Sequence, residues 1–65
     1  MSLIDSIGKN FKEWRIENKL SQEAVASKVG ISRTTITNIE TSTQNPTLEF
    51  ICKVYEEYNI DLIAG

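Results

Sequence analysis

The chain has 65 residues, 40% of them hydrophobic and 25% charged, and a formal net charge of −2. That is one small domain, residues 1–65, which buries only about 60% of its unfolded surface and so must pack well or pair with a copy. With no histidine, a single cysteine, no glycine-rich phosphate loop, no metal-ligand spacing and nothing near the ~20 apolar residues of a membrane span, the sequence argues against an enzyme and a membrane protein and calls for no cofactor.

Met1-Ser2-Leu3 would suit a cloning leader, and no signal peptide is legible. The first helix is expected from a cap at Ser6 to about Asn18. Ile7, Phe11 and Trp14 fall at i, i+4 and i+7 on its inner face, and Ile4 would pack just before the cap. Trp14 is read as core. Arg15, four residues after Phe11, lies beside the core rather than opposite it. Leu20 folds back inward from the link.

Residues 21–40 organise the rest. Ser21 is an N-cap, its hydroxyl able to accept a backbone N–H left free at a helix start. Val25, Ala26 and Val29 make one apolar stripe, and Gly30 stops the helix in a left-handed conformation. Ile31 plugs the turn inward. Ser32 caps the next helix, whose inner face is Ile36 and Ile39. Two helices joined by such a short glycine turn form a helix-turn-helix unit, about residues 21–41.

At about 100° per residue, Thr34, Thr37, Asn38 and Thr41 lie outward on that second helix, with Arg33 and Thr35 on the flanks and no carboxylate among them. Threonine is a mediocre helix former, so this face gives up local stability. Its short hydroxyl and amide side chains can hydrogen-bond base edges while the backbone comes close. Ser32 would leave N–H groups facing a phosphate. Arg33 could take guanine O6 and N7, and Asn38 adenine N6 and N7. The plainer reading is a solvated face rich in threonine. Glu40 lies four residues after Ile36, so it and Arg15 both reach the core margin and are expected to pair.

Thr41–Pro46 is a loop by composition, and Pro46 forces Asn45 out of the α region. Thr47 caps a fourth helix. Its residues Leu48, Ile51, Cys52, Tyr55 and Tyr58 make one apolar stripe, assigned to the core, so Cys52 is read as packing. Phe50 and Val54 make a second, offset pair. With Ile60 and Ile63 of the tail they are assigned to a dimer contact, since an apolar patch left over marks an interaction surface. If Tyr55 turned the helix, the same residues would be core instead. Asn59 is a C′ residue, and Asp61 caps a last turn that buries Leu62.

The acidity is concentrated at the end. Residues 1–45 carry six basic side chains against five acidic, whereas residues 46–65 carry Lys53 against Glu49, Glu56, Glu57 and Asp61. A weakly basic front implies modest non-specific affinity for phosphate backbones. The unpaired Cys52 points to no oxidising compartment, and a cytoplasmic location is expected.

Arg15, Leu20-Ser21-Gln22, Val25-Ala26, Gly30-Ile31-Ser32, Ile36, Ile39, Glu40 and Pro46-Thr47-Leu48 stand at one spacing without a gap. As a set, from Ile7 to Leu62, the chain resembles the Cro/repressor, or XRE-type, helix-turn-helix family of phage and bacterial regulators. The resemblance implies an all-α, compact bundle of four to five helices, a lambda-repressor-like DNA-binding domain with the helix from Ser32 to Thr41 in the major groove. It implies a backbone contact from Gln22, phosphate and base contacts from Ser32, Arg33, Thr34, Thr37 and Asn38, and an Arg15–Glu40 ion pair behind them. The chain departs from the family at Ser42, where glycine is usual, at Tyr55, where a small residue is usual, and at Phe50, where a polar one is. The function implied is that of a sequence-specific regulator of double-stranded DNA, a repressor. It would bind an inverted repeat as a homodimer with reading helices about 34–36 Å apart. A second reading, from another class, is an interaction module whose main partner is a protein, such as an antitoxin masking a toxin.

Overall fold

The computed structural model describes the backbone of residues 3–63 and the side chains of residues 5–63. The expectations for Met1-Ser2 and for the Ile4 side chain fall outside them. Four helices follow in order: α1 (Leu3–Glu17), α2 (Gln22–Val29), α3 (Arg33–Glu40) and α4 (Leu48–Tyr58).

α1 starts at Leu3, ahead of the cap expected at Ser6. Asp5 stands in its first turn, where a carboxylate suits the helix dipole, so Ser6 is absorbed into the helix. α1 ends with Lys19 in the left-handed region (φ 57°). The Leu20 N–H bonds the Arg15 carbonyl and the Lys19 N–H the Ile16 carbonyl, each at 3.0 Å. This Schellman closure turns Leu20 back onto the core. Ser21, Ser32 and Thr47 cap the other helices, their side-chain oxygens accepting from the N–H groups of Ala24, Thr35 and Phe50. Gly30 (φ 76°) and Asn59 (φ 56°) close α2 and α4. Ser42, in place of the family's glycine, takes the same left-handed backbone after α3, at φ 62°.

The core is built from Ile7, Phe11, Val25, Ala26, Val29, Ile36, Ile39, Phe50, Val54 and Leu62. Phe11 stands at its centre, edge-on to Phe50 at 5.1 Å between ring centroids. Trp14 packs against it from the side and meets Tyr58 edge-on at 4.9 Å. Gly8 brings α1 against the end of α3 so closely that a Cβ there would overlap the Ile39 carbonyl oxygen.

α4 overturns the assignment of its two stripes. Phe50 and Val54, assigned to a dimer contact, are core, 2% and 0% exposed. Leu48, Cys52 and Tyr55, assigned to the core, face outward, Leu48 at 73% and Tyr55 at 53%. Of that stripe only Ile51 and Tyr58 pack inward, at its edge. The physical reason is the partner: the Phe50 ring fits the edge-on position against Phe11. Ile60 packs against the core, also against its dimer assignment, while Ile63 stays 54% exposed. The tail after α4 makes a turn, not a fifth helix, among the described residues. Asp61 accepts the Ile63 N–H at 3.0 Å, Leu62 is buried, and Asn10 donates to the Leu62 carbonyl at 3.3 Å.

Candidate nucleic-acid interface

α3 is held from behind by one polar network. Arg15 Nε donates to Glu40 Oε2 at 2.6 Å and its second guanidinium nitrogen to Oε1 at 2.9 Å, a two-pronged pair. The third donates to the Leu20 carbonyl at 2.8 Å. The two side chains are 12% and 2% exposed. Hydrogen bonding to the Glu40 carboxylate raises the Arg15 pKa above the ordinary guanidinium value, against the opposing effect of burial. Gln22, at the start of α2, donates to Glu40 Oε1 at 3.0 Å and accepts from the Thr37 hydroxyl at 2.9 Å. The network therefore ties α1, α2 and α3 together and stops at a residue on the outer side of α3. Among the described residues no buried side-chain polar atom lacks a partner.

What α3 turns outward is free of carboxylate. Glu40 is its only acidic residue, and it is sealed against Arg15. Ser32, Arg33 and Thr34 are exposed, and Thr37 and Asn38 are half-buried. Ser32 is spent locally, its hydroxyl on the Thr35 N–H at 3.1 Å and the Thr35 hydroxyl at 2.8 Å. Arg33 shares one shallow concavity with Ser21, Gln22, Glu23 and Arg15. The beginnings of α2 and α3 thus meet at one place, with Glu23 as the acidic member of its rim.

The far end of α3 carries a feature that sequence reasoning missed. The Asn38 carbonyl accepts from the backbone N–H groups of Thr43 and Gln44 and from the Thr43 hydroxyl. The Asn38 amide reaches Gln44 Oε1 at 3.4 Å. Gln44 is exposed beside Asn38, so the loop extends the polar surface of α3. The non-glycine turn at Ser42, which folds this loop back, was its one legible signal.

A family model described as helix-turn-helix matches residues 11–63. No curated protein matches the chain. No helix among the described residues is long and apolar enough to cross a membrane. The matched stretch holds all of α2, the Gly30 turn, all of α3 and the Arg15–Glu40 pair behind them, and the chain belongs to the XRE-type helix-turn-helix family, whose members are DNA-binding regulators.

Proposed function

We propose that this chain is a sequence-specific transcriptional repressor, one domain over residues 1–65, acting in the cytoplasm as a homodimer on an inverted-repeat operator. α3 enters the major groove of double-stranded DNA. The observation that carries the reading is the outward side of α3: its one acid is sealed behind it, Arg33 and Thr34 are exposed, and Thr37 and Asn38 are half-exposed beside them. Arg33 reads a guanine, Thr34, Thr37 and Asn38 lie along the bases, and Gln22 and Ser32 lie where α2 and α3 begin, towards the phosphates. The second copy docks on the apolar side of α4 left uncovered here, Leu48, Cys52, Tyr55 and Ile63. An inverted repeat requires a two-fold partner, and a shared patch of this kind is self-complementary in such a dimer.

The same uncovered side of α4 favours one other reading, a protein partner that is not a copy, as for an antitoxin. Binding selection from random duplexes separates the two. A repressor returns one palindromic site, bound with a salt-dependent affinity. Arg33→Ala then relaxes preference at one base pair per half-site by ~1–3 kcal/mol, with the unfolding midpoint unchanged. Equal weakening on every duplex would make Arg33 a phosphate contact. No enrichment from the library would sink the regulator reading.

A further inference from the structure

The network behind α3 has a direction, and it ends on the side that meets DNA. Arg15 has only donors, so the Glu40 carboxylate accepts from it. An ionised carboxylate cannot donate. The Gln22 amide must therefore turn its NH2 towards Glu40, because its oxygen would otherwise face another acceptor at 3.0 Å. That turn leaves the Gln22 oxygen 2.9 Å from the Thr37 hydroxyl, and an amide oxygen only accepts. The other close neighbour of that hydroxyl is the Arg33 carbonyl, at 3.1 Å, which also only accepts. Whichever of the two takes it, the hydroxyl hydrogen stays inside the protein. Only lone pairs remain for a group approaching from outside.

We propose that the Gln22 amide oxygen, turned by Glu40, and the Arg33 carbonyl together fix Thr37 as a hydrogen-bond acceptor, so that Thr37 selects a base carrying an amino group in the major groove. The inference rests on the reading that α3 enters that groove. There the amino groups are adenine N6 and cytosine N4, whereas guanine O6 and thymine O4 are acceptors. An acceptor set against Thr37 leaves two oxygens in contact with no hydrogen between them. Thr37 is thereby a specificity-determining residue.

The test uses the full chain. Binding selection from random duplexes first identifies the preferred site. Each adenine of that site is then replaced, one at a time, by purine nucleoside and each cytosine by 2-pyrimidinone nucleoside, which removes only the amino group. Either change also weakens the base pair, but equally for every protein variant, so wild type is compared with Thr37→Val and Thr37→Ser. At one adenine or cytosine per half-site, loss of the amino group weakens wild type and Thr37→Ser roughly tenfold, the worth of one such bond, and leaves Thr37→Val unchanged. If Thr37→Val does not fold, Thr37→Ala carries the same comparison. Equal responses of wild type and the variant without a hydroxyl at every position overturn the proposal while a selected site leaves the DNA reading standing. A loss that depends on Thr37 when guanine is replaced by 2-aminopurine, which lacks O6, also overturns it, because the hydroxyl would then be donating outward. A selection with no preferred site removes both the DNA reading and this inference.

Discussion

Glu40→Gln is the sharpest probe of what holds α3 in place. In the native domain the carboxylate accepts from two guanidinium nitrogens and from the Gln22 amide, at 2.6, 2.9 and 3.0 Å. Glutamine keeps one oxygen for these donors. Its NH2 group faces an Arg15 N–H whichever way it turns, because both carboxylate oxygens accept from the guanidinium. Arg15 then keeps its charge at 12% exposure with no anion against it. Stranding one partner of a buried pair costs ~3–5 kcal/mol. A domain of 65 residues has a total stability of roughly 3–10 kcal/mol, at about 0.05–0.15 kcal/mol per residue. The substitution therefore removes a large fraction of it. With an m-value near ~1 kcal/mol/M for so small a protein, the urea midpoint falls by about 3 M, or the variant is unfolded without denaturant. The double variant Arg15→Met/Glu40→Met strands no charge, and apolar replacement of a buried pair is often close to neutral. It is expected to be more stable than Glu40→Gln alone. Urea unfolding followed by circular dichroism measures both. A loss below ~0.5 kcal/mol for Glu40→Gln, the range of ordinary surface changes, would refute the reasoning. A double variant no more stable than the single would show that stranded charge is not the cause.

Four further substitutions test the fold and the docking surface. Gly8→Ala drives a methyl into the Ile39 carbonyl and should destabilise by ~1–3 kcal/mol, despite alanine's better helix propensity; an unchanged unfolding midpoint would mean that α1 and α3 separate freely. Ser42→Gly relieves a side chain held at φ 62° and should stabilise by ~0.5–1 kcal/mol, the left-handed penalty less glycine's extra unfolded freedom; a lower melting temperature would count against that turn. Phe50→Glu should unfold the domain, whereas Leu48→Glu should leave a folded monomer with weakened operator binding, both read by circular dichroism and sedimentation. A folded Phe50→Glu would contradict the packing of α4, and a dimeric Leu48→Glu the docking surface.

The helix boundaries were legible wherever one residue's chemistry decides them. Ser21, Ser32 and Thr47 each supply the oxygen that a helix start lacks, and Gly30 and Asn59 tolerate the left-handed stop. The start of α1 was not legible in the same way, because Ser6 has the chemistry of a cap yet lies inside a helix whose first turn holds Asp5. The phase of α4 was not legible for a different reason. From Phe50 round to Leu48 and Cys52 its apolar residues cover a broad arc, and periodicity identifies the arc without saying which half faces in. That choice depends on Phe11, distant in sequence, whose ring leaves a place for Phe50. Gly8 did carry a signal. A glycine inside an amphipathic helix costs about 1 kcal/mol relative to alanine, and so asks for a close contact somewhere.

The candidate site divides along the same line. Which residues of α3 face outward follows from about 100° per residue and the positions of Ile36 and Ile39, so Thr34, Thr37 and Asn38 could be placed from sequence. What those residues can donate or accept could not, because it is decided by groups on other helices. Thr37 bonds Gln22, Gln22 bonds Glu40, and Glu40 bonds Arg15, each link joining separate helices. A threonine read in isolation offers both a donor and an acceptor. Placed between the Gln22 amide oxygen and the Arg33 carbonyl, it has one character left to show. Different measurements therefore separate the two ends of the network: the unfolding midpoint reports the support that the ion pair gives α3, and the response to a missing base amino group reports where the Thr37 hydrogen is held.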